Sequence, residues 1–198
     1  MPRSRFGLPS RLTTWTALLG LVLVSTPLVA ESEEGQLPWR FDITAMNTGS
    51  VGPRTARLDL SLTRWSTDEE REALFEALKQ GSRRSLPDAL NRQESVGRLR
   101  EVRGTGEELR YSRRIPTAEG GEQIILATDR RIAFVEAWRA SRTLDYNVSV
   151  IQLEIGPDGR GQGTLMVGAE ITFDEAKNQI TIEHMAIQPI RLTQVRRR

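Results

Sequence analysis

Hydrophobic and polar residues alternate along most of the chain beyond residue 38. Side chains of a strand point to opposite faces in turn, so alternation marks a strand with one buried and one wet face. Residues Trp39–Ala45 alternate in this way and predict a first strand. Ala56, Leu58, Leu60 and Leu62 then share one face, against Arg57, Asp59, Ser61 and Thr63 on the other. Further strands are predicted over Val96–Val102, Leu109–Ile115, Tyr146–Ile155, Leu165–Phe173 and Ile190–Val195, and another carries Ile180, Ile182, His184 and Ala186 on one face. The strand at Leu109–Ile115 would place Leu109, Tyr111, Arg113 and Ile115 together. Leu165, Val167, Ala169, Ile171 and Phe173 would share a face in the later one. Turn-forming residues separate these segments at 47–53, 104–106, 116–121, 156–161 and 174–179. Short connections imply antiparallel pairing, because parallel strands need long crossovers.

Two runs break the alternation. Ile124–Ala127 and Ile132–Val135 are apolar at consecutive positions and flank the polar Thr128–Arg131. A strand that is apolar on both faces is covered on both. These runs predict a central β-hairpin, sandwiched within the fold.

One stretch carries a full set of helix signals. Ser66 with Glu69 three residues on forms a capping-box pattern, and Asp68, Glu69 and Glu70 crowd the first turn. Leu74, Phe75 and Leu78 make an apolar stripe, and Gly81 stands where a C-terminal glycine belongs. A helix is predicted over 66–80, with a shorter helical turn at Leu86–Asn91 that has Pro87 at its first position. The expected fold is α+β: a large curved antiparallel sheet of about ten strands, a partial barrel or two-sheet sandwich, with one firm helix packed on it.

The N-terminus changes how charge is read. Arg3, Arg5 and Arg11 precede an apolar run at Ala17–Val24, and Pro27 and Ala30 follow before Glu31. That is the pattern of a signal peptide over residues 1–30, and the run is shorter than the roughly 20 residues a membrane span needs. The remainder, 31–198, is expected to be a single exported domain, periplasmic or extracellular. The full chain has 28 Lys+Arg and 26 Asp+Glu. Subtracting the three arginines of residues 1–30 leaves 25 basic against 26 acidic residues, so no nucleic-acid partner is expected. The terminal Arg196–Arg198 is expected to be a solvated tail. With no Cys, stability must come from the core rather than disulfides.

Arg64–Glu70, Ile125–Arg130 and Pro189–Thr193 resemble stretches of a group of uncharacterised secreted bacterial proteins. The resemblance covers most of the chain after residue 30. It implies a bacterial exported protein and brings no activity, cofactor or catalytic residue with it.

Little in the sequence points to chemistry. His184 is the single His and Cys is absent, so the usual zinc ligand sets cannot form within one chain. No metal or cofactor is expected. The glycines at 159, 161 and 163 precede a strand rather than a helix, which excludes a dinucleotide loop. No nucleophile-elbow motif is present. Charges on otherwise apolar strand faces are costly unless paired or hydrated, and Arg113, Glu136 and Glu170 occupy such positions. If Arg113 and Glu136 converge with Tyr111, Trp138 and His184 in a barrel or sheet concavity, they form a ligand-binding site. Three functions follow as expectations: an exported non-enzymatic module binding a small ligand or envelope partner, an envelope structural or assembly protein without a pocket, or a carboxylate-dependent hydrolase using Glu136, Glu170 or Glu183.

Overall fold

The computed structural model describes residues 37–47, 54–132, 148–174, 179–184 and 189–198. The alternating segments become β1 (Trp39–Asn47), β2 (Arg54–Leu62), β3 (Gly97–Glu101), β4 (Glu107–Leu109), β5 (Tyr111–Pro116), β6 (Glu122–Thr128), β7 (Val148–Ile155), β8 (Arg160–Asp174), β9 (Gln179–His184) and β10 (Ile190–Arg197). Two helices, α1 (Asp68–Lys79) and α2 (Ser85–Arg92), lie between β2 and β3. All pairings are antiparallel, in the order β4-β3-β2-β1-β10-β8-β7-β6-β5, with β9 joined to β8 off this path.

The two ends of that order meet. β4 and β5 are one extended run broken only at Arg110, so the sheet curls into a nearly closed barrel rather than a sandwich. The Arg110 N–H donates to Ala127 O at 2.8 Å, carrying the run from β3 across to β6. Inward residues of β1 and β2 meet in register as Phe41–Leu60 and Ile43–Leu58. Ile124 and Leu126 of β6 fill the barrel together with Ile151 and Leu153 of β7 and Leu192 of β10, all nearly fully buried. Gly161 and Gly163 of β8 face Ile155 and Leu153. A Cβ on them would fall 1.9 Å from Glu154 O and 2.3 Å from Gln152 O, so the close strand approach requires glycine.

Outside the barrel, α1 and α2 cover β6, β7 and β8. Leu74, Ala77, Ala89 and Leu90 pack with Ala127, Val150, Met166 and Ala169. This explains the consecutive apolar run of β6: Ile124 and Leu126 point into the barrel, while Ile125 and Ala127 lie under the helices. The predicted central hairpin is corrected. β6 pairs with β5 along one edge and β7 along the other, which leaves no edge for a strand at 132–135; residues 133–135 lie outside the described residues.

Other expectations also change. Beside the firm helix α1, the shorter turn expected at Leu86–Asn91 is a full second helix, α2. The capping box is shifted by one residue: Thr67 Oγ1 accepts the Glu70 N–H at 3.2 Å, and Glu70 accepts the Thr67 N–H at 2.9 Å. Pro87 is the third residue of α2, not the first. The single face expected over Leu165–Phe173 is split by a bulge at Gly168, whose φ of 66° suits glycine. Leu165 and Val167 face the barrel, whereas Ala169 and Ile171 face the helices, and Phe173 meets Phe75 edge-on at 4.9 Å. The terminal arginines are tied down, since β10 runs to Arg197 and Arg198 pairs with Asp42 at 2.7 Å. The expected signal peptide lies outside the described residues.

Candidate functional site

The face expected for Leu109, Tyr111, Arg113 and Ile115 does not persist. The break at Arg110 turns the run, so Leu109 is sealed in the barrel while Tyr111 joins the helix-side layer. Arg113 is register partner to Ile125 and Tyr111 to Ala127, which sets Arg113 on the outer face. Between them Ser112 points inward and is 1% exposed.

Ser112 and Ser66 clasp the barrel along the edge of β5 away from β6, which has no strand partner among the described residues. The Ser66 N–H donates to Ser112 O at 3.1 Å, and the Ser112 N–H donates to Ser66 Oγ at 3.0 Å. Ser112 Oγ in turn donates to Arg64 O at 2.9 Å. Ser66 is therefore a seam residue rather than the helix cap its sequence position suggests. Arg64 continues the join by gripping both carboxylate oxygens of Glu70 at 2.8 Å. That bidentate contact holds the Glu70 carboxyl below the ordinary glutamate range and raises Arg64 further.

The seam brings the start of α1 beside β5 and leaves an open concavity of about 370 Å³ between them. Tyr111 and Trp65 form flat parts of its wall, and Arg71, Arg113 and Arg114 supply its charge together with Asp68. Arg71 pairs with Asp68 at 3.0 Å, and Arg114 pairs with Glu122. Arg113 is exposed and has no ion-pair partner among the described residues.

Glu122 marks a second cluster, at the mouth of the barrel. It is 5% exposed and held by Arg114 and Arg197, the latter at 2.7 Å. Both guanidinium groups also lie over the Trp39 ring, Arg197 at 4.6 Å and Arg114 at 5.3 Å from its centroid. Two cations around one carboxylate, backed by an aromatic face, satisfy a charge that would otherwise be expensive to bury. Sequence reasoning did not single out Glu122. Its signal was there, because Glu122 shares parity with the inward Ile124 and Leu126. Arg197 was hidden in the expected tail.

The expected ligand residues are therefore only partly assembled. Tyr111 and Arg113 line one concavity. Glu136 and Trp138 lie outside the described residues. His184 is on β9, where its backbone pairs with Ala169 of β8, and β9 lies four strand spacings from β5, or roughly 19 Å along the sheet. Of the candidate acids, Glu170 and Glu183 are register partners, and Glu170 lines a separate cleft of about 250 Å³ beside the α1–α2 connection. Among the described residues no three His, Asp or Glu are grouped as metal ligands. None of the described helices is long and apolar enough to cross a membrane. No family model matches the chain, and no curated protein or solved structure matches it.

Proposed function

We propose that the chain is an exported, non-enzymatic module of the bacterial cell envelope that binds a small ligand. Its site is the outer concavity of Tyr111 and Arg113. The observation that carries this function is the contrast between a barrel filled with apolar side chains and an open concavity holding an arginine without an ion-pair partner among the described residues. Barrels of this size bind ligands in their lumen only when side chains leave room. Here the groove outside supplies the aromatic walls and polar groups that a ligand site needs.

β9 favours a second function, envelope assembly. Ile180 and Ile182 on this strand are 48% and 39% exposed, and β9 has β8 as its one strand partner among the described residues. Native mass spectrometry of periplasmically expressed protein separates the two. A copurified small molecule that is lost in Arg113→Ala supports the ligand site. A stable complex with an envelope protein, unchanged by Arg113→Ala and broken by Ile182→Asp, supports assembly and contradicts the ligand site.

A further inference from the structure

Resting on that ligand-binding function, we infer that the Arg113 concavity takes a small anion: a carboxylate or phosphate group carried on a flat apolar body. Arg71, Arg113 and Arg114 are among its lining residues, with a single carboxylate. That carboxylate, Asp68, is 88% exposed and already engaged by Arg71. Arg114 is spoken for by Glu122. Arg113 remains, opposite Ile125 and beside Tyr111, exposed and without an ion-pair partner among the described residues. A guanidinium presents a planar fork of donors that fits the oxygens of a carboxylate or phosphate, and its charge strengthens those hydrogen bonds. Trp65 and Tyr111 supply the surfaces on which an apolar body would lie.

The start of α1 is not the anchor. Thr67 Oγ1 already accepts the Glu70 N–H. The Glu69 carboxyl is held below its ordinary range by its own backbone N–H and by the Thr67 hydroxyl. Asp68, Glu69 and Glu70 also rim that side with negative charge. An extended polyanion would meet these acids, whereas one small anion can reach Arg113 past them. A metal cation is disfavoured by the three arginines.

The test is an NMR titration of 15N-labelled protein with phenyl phosphate, benzoate and neutral benzyl alcohol. Backbone signals of 65–71 and 111–114, and the Arg113 side-chain N–H, should shift with the two anions. Arg113→Ala should weaken anion binding roughly tenfold or more, the loss of a charged hydrogen-bonded contact. Arg103→Ala, which removes the same charge from the exposed turn after β3, should leave it unchanged. A larger response to phenyl phosphate than to benzoate assigns a phosphate ligand, and the reverse a carboxylate. Equal binding of benzyl alcohol overturns the anion inference while leaving a binding site in place. Failure of all three probes to shift these signals overturns it as well, and so does equal weakening by Arg103→Ala. A copurified neutral ligand in the native mass spectrum would then show that the broader function stands without it.

Discussion

Arg113 and Arg114 are adjacent in sequence and face opposite sides of one strand. Arg114 turns to the barrel mouth, where Glu122 and the Trp39 ring receive it. Arg113 turns outward, into a concavity whose one lining carboxylate, Asp68, is engaged by Arg71. The mouth cluster is closed on itself: two cations share one carboxylate, and both lie on the same indole. The outer concavity is open, with the Arg113 charge left to solvent or to a ligand. Buried charge that is fully paired belongs to the structure; a charge held at the edge of an apolar wall without a partner is available for binding.

This contrast can be broken at either end, and the largest effect is expected at the mouth. Glu122→Ala leaves Arg114 and Arg197 facing each other over Trp39. Removing one partner of a buried ion pair typically costs about 3–5 kcal/mol, and the partial exposure of both arginines brings the expectation here to about 2–4 kcal/mol. Urea unfolding should show a lower midpoint at unchanged slope. A loss below about 0.5 kcal/mol would mean that the cluster is solvated and ordinary.

Ser112→Ala is expected to cost less, about 1–3 kcal/mol, because it removes a buried hydroxyl and leaves Arg64 O without its donor. Hydrogen exchange should then speed up at Ser66 and along β5. Exchange that rises uniformly over the barrel would mean that the two serines do not hold the seam.

The smallest effect is a pH dependence. Folding lowers the Glu70 pKa through its hydrogen bonds to Arg64. A depressed carboxyl stabilises the fold above its unfolded value, about 4.3, and loses that contribution as pH falls through the lower folded value. Melting temperature should therefore decline below about pH 4.3, and Glu70→Gln should decline less steeply over the same window. Parallel curves for the two proteins would remove Glu70 as a source of acid sensitivity.

Much of the barrel was legible because period-two alternation depends only on neighbours in sequence. β2 reads directly from Ala56, Leu58, Leu60 and Leu62, all buried. The two-sided apolar run of β6 also reads directly as a strand covered on both faces. Its partners do not, because register and edge occupancy are long-range properties: β7 takes the edge that the next apolar run in sequence suggested for itself. Bulges hide for a related reason. One extra residue at Gly168 inverts the parity of everything beyond it, so a continuous alternation serves two different faces. The candidate site was half visible. A charge on an apolar face points to Arg113 in the sequence itself. Ser66 mimics a cap, because a serine two residues ahead of an acidic turn also suits a helix start, and only the fold brings Ser112 to it.

The most direct test crosses the two regions on one set of samples. Melting temperature and phenyl phosphate affinity are measured for the parent protein, Glu122→Gln and Arg113→Ala. Glu122→Gln should melt several degrees lower and keep its affinity, whereas Arg113→Ala should melt within about 2 °C of the parent and lose affinity roughly tenfold or more. The opposite pattern, with Arg113→Ala unstable and still binding, or Glu122→Gln stable and unable to bind, would contradict the division between a structural mouth and a binding concavity.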